Sequence, residues 1–335
     1  MRIEENFSLL SYNTFHIEAQ TRYFAEYDNE TELASILADK RFSELPKFHI
    51  GGGSNLLFTK DYEGVILHSN MKDISLIHED DQYIYLYAQS GLIWDDFVAY
   101  CAEHSYYGAE NLSLIPGEVG SSAIQNIGAY GIEAKDIIYQ VHCIALEDGK
   151  KYTFDQIDCA YGYRQSKFKT DWKNKYIVTG VTFRLNKQES YTLSYGNLQE
   201  LLKDEEINLN IVRRAIIEVR ESKLPDTNKL GNAGSYFMNP FVEKSKFDAL
   251  KSTYPNIPSY FVDEFTVKVP AGWLIEQCGW KGKSLGNAAI HDKQALVIIN
   301  KGNATAKEII ELAITVARDV KNKFDIDIHP EVIYI

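Results

Sequence analysis

Between Ile115 and Gly131 the chain reads Ile-Pro-Gly-Glu-Val-Gly-Ser-Ser-Ala-Ile-Gln-Asn-Ile-Gly-Ala-Tyr-Gly, with four glycines. From Val119 to Ile132 it carries no charge, and its polar groups are short: Ser121, Ser122, Gln125 and Asn126. Each glycine costs a helix about 1 kcal/mol relative to alanine, so this is poor material for a helix interior or a strand. It suits backbone that approaches a flat or phosphorylated ligand closely, offering N–H groups where side chains would intrude. The alternative is an ordinary surface loop, but surface loops are seldom this long without Lys, Asp or Glu. A buried ligand loop is the expectation.

Two further glycine-rich stretches resemble it. Phe48-His49-Ile50 reads as a strand running into Gly51-Gly52-Gly53-Ser54-Asn55 and the apolar Leu56-Leu57-Phe58. A strand followed by such a turn can form a backbone nest for a pyrophosphate, although glycine triplets also serve as plain turns. The spacing is not G-x-G-x-x-G, so a Rossmann domain is not supported. Leu230–Pro240, with Gly231, Gly234 and Ser235, is the third, and is expected to be a loop.

Ordinary elements surround these stretches. Asn29 with Glu32, and Thr305 with Glu308, are spaced as capping boxes for helices with inward faces at Leu33 and Ile36, and at Ile309, Leu312, Ala313, Val316 and Val320. Trp94–His104 and Asn210–Ser222 also have helical spacing. Strands are expected at 64–67, 74–77, 83–88, 176–185 and 328–335. In the helix capped by Asn29, Leu37 is expected on the apolar stripe beside Leu33 and Ile36. Asp148-Gly149 is expected to turn a hairpin between 141–146 and 151–154. Composition changes after Ser222, placing a domain boundary near residue 220.

A net charge of −12 argues against a general nucleic-acid binder. Cys101, Cys143, Cys159 and Cys278 form no C-x-x-C pair, and no His spacing suits a metal, so reduced thiols and no metal are expected. The N-terminus lacks a basic-then-apolar leader, and no run approaches the roughly 18 apolar residues that span a bilayer. A soluble, cytoplasmic, monomeric protein is the expectation.

Few residues announce chemistry by themselves. Ser235 has no neighbouring base and no G-x-S-x-G elbow, so by itself it reads as a structural serine. Arg164 and Glu331 read as ion-pair partners. Lys281-Gly282-Lys283-Ser284 fails as a P-loop, because Gln277 stands where glycine is needed.

Taken together, the motifs resemble the UDP-N-acetylenolpyruvoylglucosamine reductases, also called UDP-N-acetylmuramate dehydrogenases. They run in family order over nearly the whole chain. Asn13-Thr14-Phe15, the Gly51–Leu57 turn, Ile115-Pro116-Gly117, Gly120-Ser121-Ser122 and Ile124–Gly131 come first. Gly162-Tyr163-Arg164, Lys223-Leu224-Pro225, Gly231–Ser235, Ala271–Ile275 and Pro330-Glu331-Val332 follow. Leu193–Leu198, with Tyr195, is similar to the tyrosine-bearing lid of one subclass. Ala123 stands where the family often has proline, and Gly52 replaces a bulkier residue; both bear on loop stiffness.

The resemblance implies an α+β fold: a two-part FAD-binding domain of the vanillyl-alcohol-oxidase (PCMH) type plus an α+β substrate-binding domain. Its parts would be 1–70 with 325–335, then 71–219, then 220–324. It implies FAD held by Gly51, Gly52, Gly53, Ser54, Asn55, Gly120, Ser121, Ser122, Gln125, Asn126 and Gly128. NADPH would be the co-substrate, and UDP-N-acetylglucosamine-enolpyruvate would be reduced to UDP-N-acetylmuramate for peptidoglycan synthesis. Ser235 would donate the proton, Arg164 and Glu331 would polarise the substrate carboxylate, and Tyr130, Tyr195, Lys223, Asn239, Lys268 and Gln294 would contact substrate. The rivals are another FAD oxidoreductase of this fold and a nucleotide-sugar-binding protein without turnover.

Overall fold

The computed structural model describes residues 1–194 and 198–335, which divide into two compact units. The first is built from Met1–Ser8, Gln20–Gly53 and Asp61–Ser222. Among the described residues, one of its sheets orders the strands Arg2–Ser8, Gln20–Tyr27, Tyr62–Ser69 and Lys47–Ile50. The first pair is antiparallel and the other two pairs are parallel. Tyr62–Ser69 is buried continuously from Gly64 to Ser69, as a parallel strand covered on both faces should be. Asn29 caps the helix Glu30–Ala38, its Oδ1 accepting from Glu32 N at 2.9 Å. Arg2–Ser8 went unrecognised in the sequence because it is a polar edge strand with two glutamates and most of its residues exposed.

A second sheet is antiparallel throughout, in the order Lys151–Asp155, Ile138–Ala145, Tyr176–Asn186, Tyr83–Gln89 and Ile74–Glu79. The Asp148-Gly149 turn closes its hairpin, with Gly149 at φ +68°. Its core is aromatic: Phe183 meets Phe97 at 4.4 Å and Trp94 at 5.7 Å between ring centroids.

The Ile115–Gly131 stretch differs from the loop expected of it. Val119–Gln125 is an α-helix. Gly120 explains the difference, since it lies in close approach to Ser90: Gly120 N donates to Ser90 O at 2.9 Å, and a Cβ on Gly120 would lie 2.8 Å from Ser90 Cβ. The glycine is there for packing, and tertiary contact outweighs its intrinsic helix cost.

The second unit comprises Leu9–Ala19, Ser54–Lys60 and Lys223–Ile335. Among the described residues, one sheet runs Gly231–Ser235, Val297–Asn300, Ala288–Ile290 and Ser284–Leu285. Another runs Phe241–Glu243, Thr266–Lys268 and Tyr260–Phe261. Gly231–Ser235 is thus a strand, not the expected loop, with an irregular register between Asn232 and Ser235. A Cβ on Gly231 would lie 2.4 Å from Phe15 O, again a glycine set by close packing. The helix Ala306–Phe324 buries the five apolar positions expected of it.

The final strand is shorter than expected: only Ile333–Tyr334, paired in parallel with Leu56–Leu57. Leu9–Ala19, Ser54–Lys60 and the chain's last residues share this unit because they hydrogen-bond into it. Asn232 N donates to Thr14 O, Asn300 Nδ2 donates to Phe15 O, and Ile333 N donates to Asn55 O. Among the described residues, no helix is long and apolar enough to cross a membrane, no cluster of His, Cys, Asp or Glu suits a metal ion, and the four cysteines are free.

Candidate functional site

In the first unit two glycine elements lie side by side. Lys47–Ile50 ends in the Gly51–Gly53 turn, where Gly53 is buried at φ +65°. A Cβ on Gly52 would lie 3.7 Å from Gly117 Cα, and one on Gly51 would lie 3.0 Å from Glu118 Oε2. Among the described residues, the N–H groups of Gly52 and Gly53 have no acceptor in the protein. Bare backbone donors on a glycine turn that lies beside a second glycine make a cradle for an anionic, flat group.

The helix at Val119–Gln125 sits on this turn's neighbour, Glu118. Ser121 Oγ donates to Glu118 O at 2.7 Å and accepts from Glu118 N at 3.2 Å. Ser122 Oγ is turned to Val119 O at 2.7 Å and is buried. Asn126 ends the helix in the left-handed conformation, at φ 47°. Its side chain is committed to the protein: Nδ2 donates to Glu133 Oε2 and Gly162 O, and Oδ1 accepts from Lys135 N. Asn126 therefore fixes the loops on either side of it.

One of those loops carries Arg164. Its guanidinium donates to Gly128 O at 2.7 Å and Asn126 O at 3.4 Å, and lies 5.3 Å from the Tyr163 ring centroid. A Cβ on Gly128 would lie 3.1 Å from Arg164 Nη1, so that glycine leaves room for the cation. Gln125, Gly128, Tyr130 and Arg164 are thus held around one helix C-terminus.

The second unit brings Ser235, Glu331 and Asn55 together. Phe237 pairs with Pro330, and Glu331 N donates to Tyr236 O at 2.7 Å, so Ser235 and Glu331 ride on neighbouring backbone segments. Asn55, next to Ser54, donates from Nδ2 to Glu331 O at 3.3 Å. Gly234 N donates to Asn232 Oδ1 at 3.0 Å, which fixes the irregular turn before Ser235. Among the described residues the Ser235 hydroxyl takes no hydrogen-bond partner, so its proton is uncommitted.

Asn239 and Gln294 both address the helix Ala271–Gln277. Asn239 Oδ1 accepts from Ala271 N at 2.9 Å, and a Cβ on Gly272 would lie 3.3 Å from Gln294 Oε1. Lys268 lies opposite Phe241 and Tyr260 across three strands, its ammonium 5.7 Å from the Tyr260 ring centroid. Lys223 ends the helix Leu209–Lys223 and is exposed. Tyr195 lies outside the described residues.

Two residues of this region were not singled out in the sequence. Buried Asn111 donates to Tyr130 O and Thr192 O, both at 2.8 Å, while its Oδ1 has no partner among the described residues. Arg220 donates from Nε to Leu114 O at 3.3 Å. Burial lowers its pKa, Tyr130 and Asp95 oppose that, and Arg164 adds to it, so a second guanidinium lies within electrostatic range of the first. Only tertiary placement separates Arg220 from exposed Arg214 on the same helix.

Comparison with known proteins accounts for both units. Residues 21–155 match a family model described as an FAD binding domain. Residues 225–335 match the C-terminal domain of UDP-N-acetylenolpyruvoylglucosamine reductase. A UDP-N-acetylenolpyruvoylglucosamine reductase of Bacteroides fragilis (strain YCH46) is 52% identical over 334 residues, covering 99% of this chain and 100% of that one. One of Porphyromonas gingivalis (strain ATCC 33277) is 44% identical over 337 residues, with both chains fully covered. The crystal structure of the Thermus caldophilus enzyme superposes with a TM-score of 0.70 at 22% identity, covering 100% of this chain and 99% of that one, a likeness of fold.

Fold and cradle together define an FAD-binding oxidoreductase with a two-part flavin region and a separate α+β C-terminal domain. The residues present fit that cofactor: the bare Gly52 and Gly53 donors lie beside the Gly117 backbone, with the Glu118 carboxylate at the edge of the turn. The chain belongs to the UDP-N-acetylenolpyruvoylglucosamine reductase family.

Proposed function

We propose that this chain is a cytoplasmic, NADPH-dependent flavoenzyme. It reduces the enolpyruvyl ether of UDP-N-acetylglucosamine-enolpyruvate to the lactyl ether, giving UDP-N-acetylmuramate for peptidoglycan synthesis. The observation that carries this reading is the 52% identity to a named reductase along nearly the full length of both chains. FAD, when bound, supplies a hydride carrier between NADPH and the enol ether. The Gly51–Gly53 turn with Ser54 and Asn55 is assigned to its pyrophosphate. Gly120, Ser121, Ser122, Gln125, Asn126 and Gly128 are assigned to its ring, with Asn126 acting through the loops that it ties.

The protein's other task is to manage charge on the substrate. Hydride addition at the terminal carbon leaves negative charge on the neighbouring carbon and its carboxylate. Positive and hydrogen-bonding groups must stabilise that charge, and an acid must supply a proton. Arg164 and Glu331 are assigned to the carboxylate, and the uncommitted hydroxyl of Ser235 to the proton. Tyr130, Tyr195, Lys223, Asn239, Lys268 and Gln294 are assigned to the rest of the substrate, which locally offsets the −12 total. In this reading residues 1–70 with 325–335 and 71–219 serve the flavin, and 220–324 serve the substrate.

Purified protein should be yellow, and NADPH oxidation should accelerate on addition of UDP-N-acetylglucosamine-enolpyruvate. A colourless protein that FAD cannot reconstitute would refute the reading. As a lid residue, Tyr195 has its own test: Tyr195→Phe should raise the KM for substrate several-fold and leave FAD affinity unchanged. Unaltered substrate kinetics would remove it from the site.

A further inference from the structure

Beneath the glycine turn lies a buried charge cluster that the reaction above does not use. His68, on the strand Tyr62–Ser69, is held between two carboxylates. Its Nδ1 lies 2.9 Å from Glu26 Oε2 and its Nε2 lies 3.2 Å from Glu118 Oε1. The other Glu118 oxygen, Oε2, is the atom 3.0 Å from where a Gly51 Cβ would stand. The chain thus runs Glu26, His68, Glu118, Gly51, from the edge of the fold to the pyrophosphate turn. An ionised carboxylate is a poor neighbour for a pyrophosphate, and a buried one more so.

The surroundings say where the compensating proton sits. His49, on the adjacent strand, is kept neutral: burial, with His68 nearby, pulls its pKa down to about 3, and its Nε2 lies 2.8 Å from Tyr27 Oη. The Phe24 ring stacks on His68 at 6.1 Å. Lys72, past the end of the strand, acts on Glu118 from outside. Burial would lower the pKa of His68, but Glu118 and then Glu26 overcome it and raise it above 6.5. Burial raises Glu118 despite the imidazolium beside it.

We propose that His68 is a charge-compensating residue for the dinucleotide turn: its proton neutralises Glu118 against the pyrophosphate, so that binding of FAD draws a proton into the fold. This rests on the flavin reading above. With His68 protonated, Glu26, His68 and Glu118 sum to one negative charge; with the proton lost they sum to two. Pyrophosphate raises the pKa of His68 further, so FAD should bind more weakly as pH rises through that window, which opens above about 6.5. The same group stabilises the apoprotein: that contribution is complete below the unfolded value near 6.5 and is lost as pH rises through the raised folded pKa.

The test is the Kd of apoprotein for FAD between about pH 6 and 9, read by quenching of flavin fluorescence, with proton uptake from calorimetry in two buffers of different ionisation heat. The wild-type Kd should rise about tenfold over this range, with net uptake of a proton fraction. Glu118→Gln keeps shape and hydrogen bonding but removes the charge, and should bind FAD at least as tightly with a flat profile. His68→Gln should bind about tenfold more weakly, also flat, and the double variant should return towards wild type. A flat wild-type profile, or a Glu118→Gln variant weakened like His68→Gln, overturns the relay and leaves FAD binding standing. Wild-type protein that takes up no FAD at any pH overturns the flavin reading itself. Glu118→Gln alone decides the matter if His68→Gln does not fold.

Discussion

Ser235→Ala is expected to leave reduction of the flavin by NADPH within about twofold of wild type, while slowing its reoxidation by substrate by about 10²–10⁴, the range for loss of a positioned proton donor. The asymmetry follows from where the residue sits. Its hydroxyl takes no partner among the described residues, so deletion leaves no orphaned acceptor. The fold around it is carried by backbone: Tyr236 N on Leu296 O at 2.7 Å, Glu331 N on Tyr236 O, and Gly234 N on Asn232 Oδ1. Thermal stability should therefore be unchanged, and stopped-flow absorbance of the two half-reactions separates the effects. Equal loss in both half-reactions would place Ser235 outside protonation. Ser235→Cys, which keeps a proton on a longer and weaker donor, should recover part of the lost rate.

Gly120→Val is expected to give a folded protein that has lost its colour. A Cβ at this position would lie 2.8 Å from Ser90 Cβ and 3.3 Å from Ser90 O. Ser90 cannot give way, because its carbonyl accepts from Gly120 N and its Oγ donates to Ser69 Oγ at 2.9 Å, inside the fold. The helix Val119–Gln125 must move instead, carrying Glu118 and the Gly117 backbone away from the Gly51–Gly53 turn. Overpacking costs typically about 1–3 kcal/mol, which lowers the melting temperature. The larger expected effect is on the cradle: FAD affinity down at least tenfold, with FAD no longer raising the melting temperature. Full FAD occupancy in Gly120→Val would show that this helix does not shape the cradle.

What the sequence disclosed, and what it hid, follows from where the determining forces lie. Capped helices, the Asp-Gly hairpin and the apolar strands were legible, because local propensity and packing agree there. The helix at Val119–Gln125 and the strand at Gly231–Ser235 have the composition of loops. Their glycines answer to distant neighbours, Ser90 and Phe15, and no local rule sees those. Asn126 shows the same limit. Its side chain ties Glu133, Gly162 and Lys135 together, partners that the motif itself does not name. His68 was invisible for a plainer reason: its two carboxylates come from residues 26 and 118, and only the fold assembles them.

The second unit is sewn from pieces far apart in the chain, and that has a consequence for its birth. Thr59 donates both its N–H and its hydroxyl to Ile335 O, across 276 residues, and Leu56 pairs with Ile333. Segments 9–19 and 54–60 leave the ribosome long before their partners exist. Their apolar residues, Phe15 and Leu57 among them, belong to a core whose other members lie mostly between residues 233 and 332. Closing such a span is entropically slow even though its cost grows only logarithmically with length. The first unit has most of its strands in hand by Asn186, so synthesis imposes an order: the flavin cradle's glycine turns take shape first, and the segment bearing Ser235 and Glu331 locks only once residues 330–335 have been made.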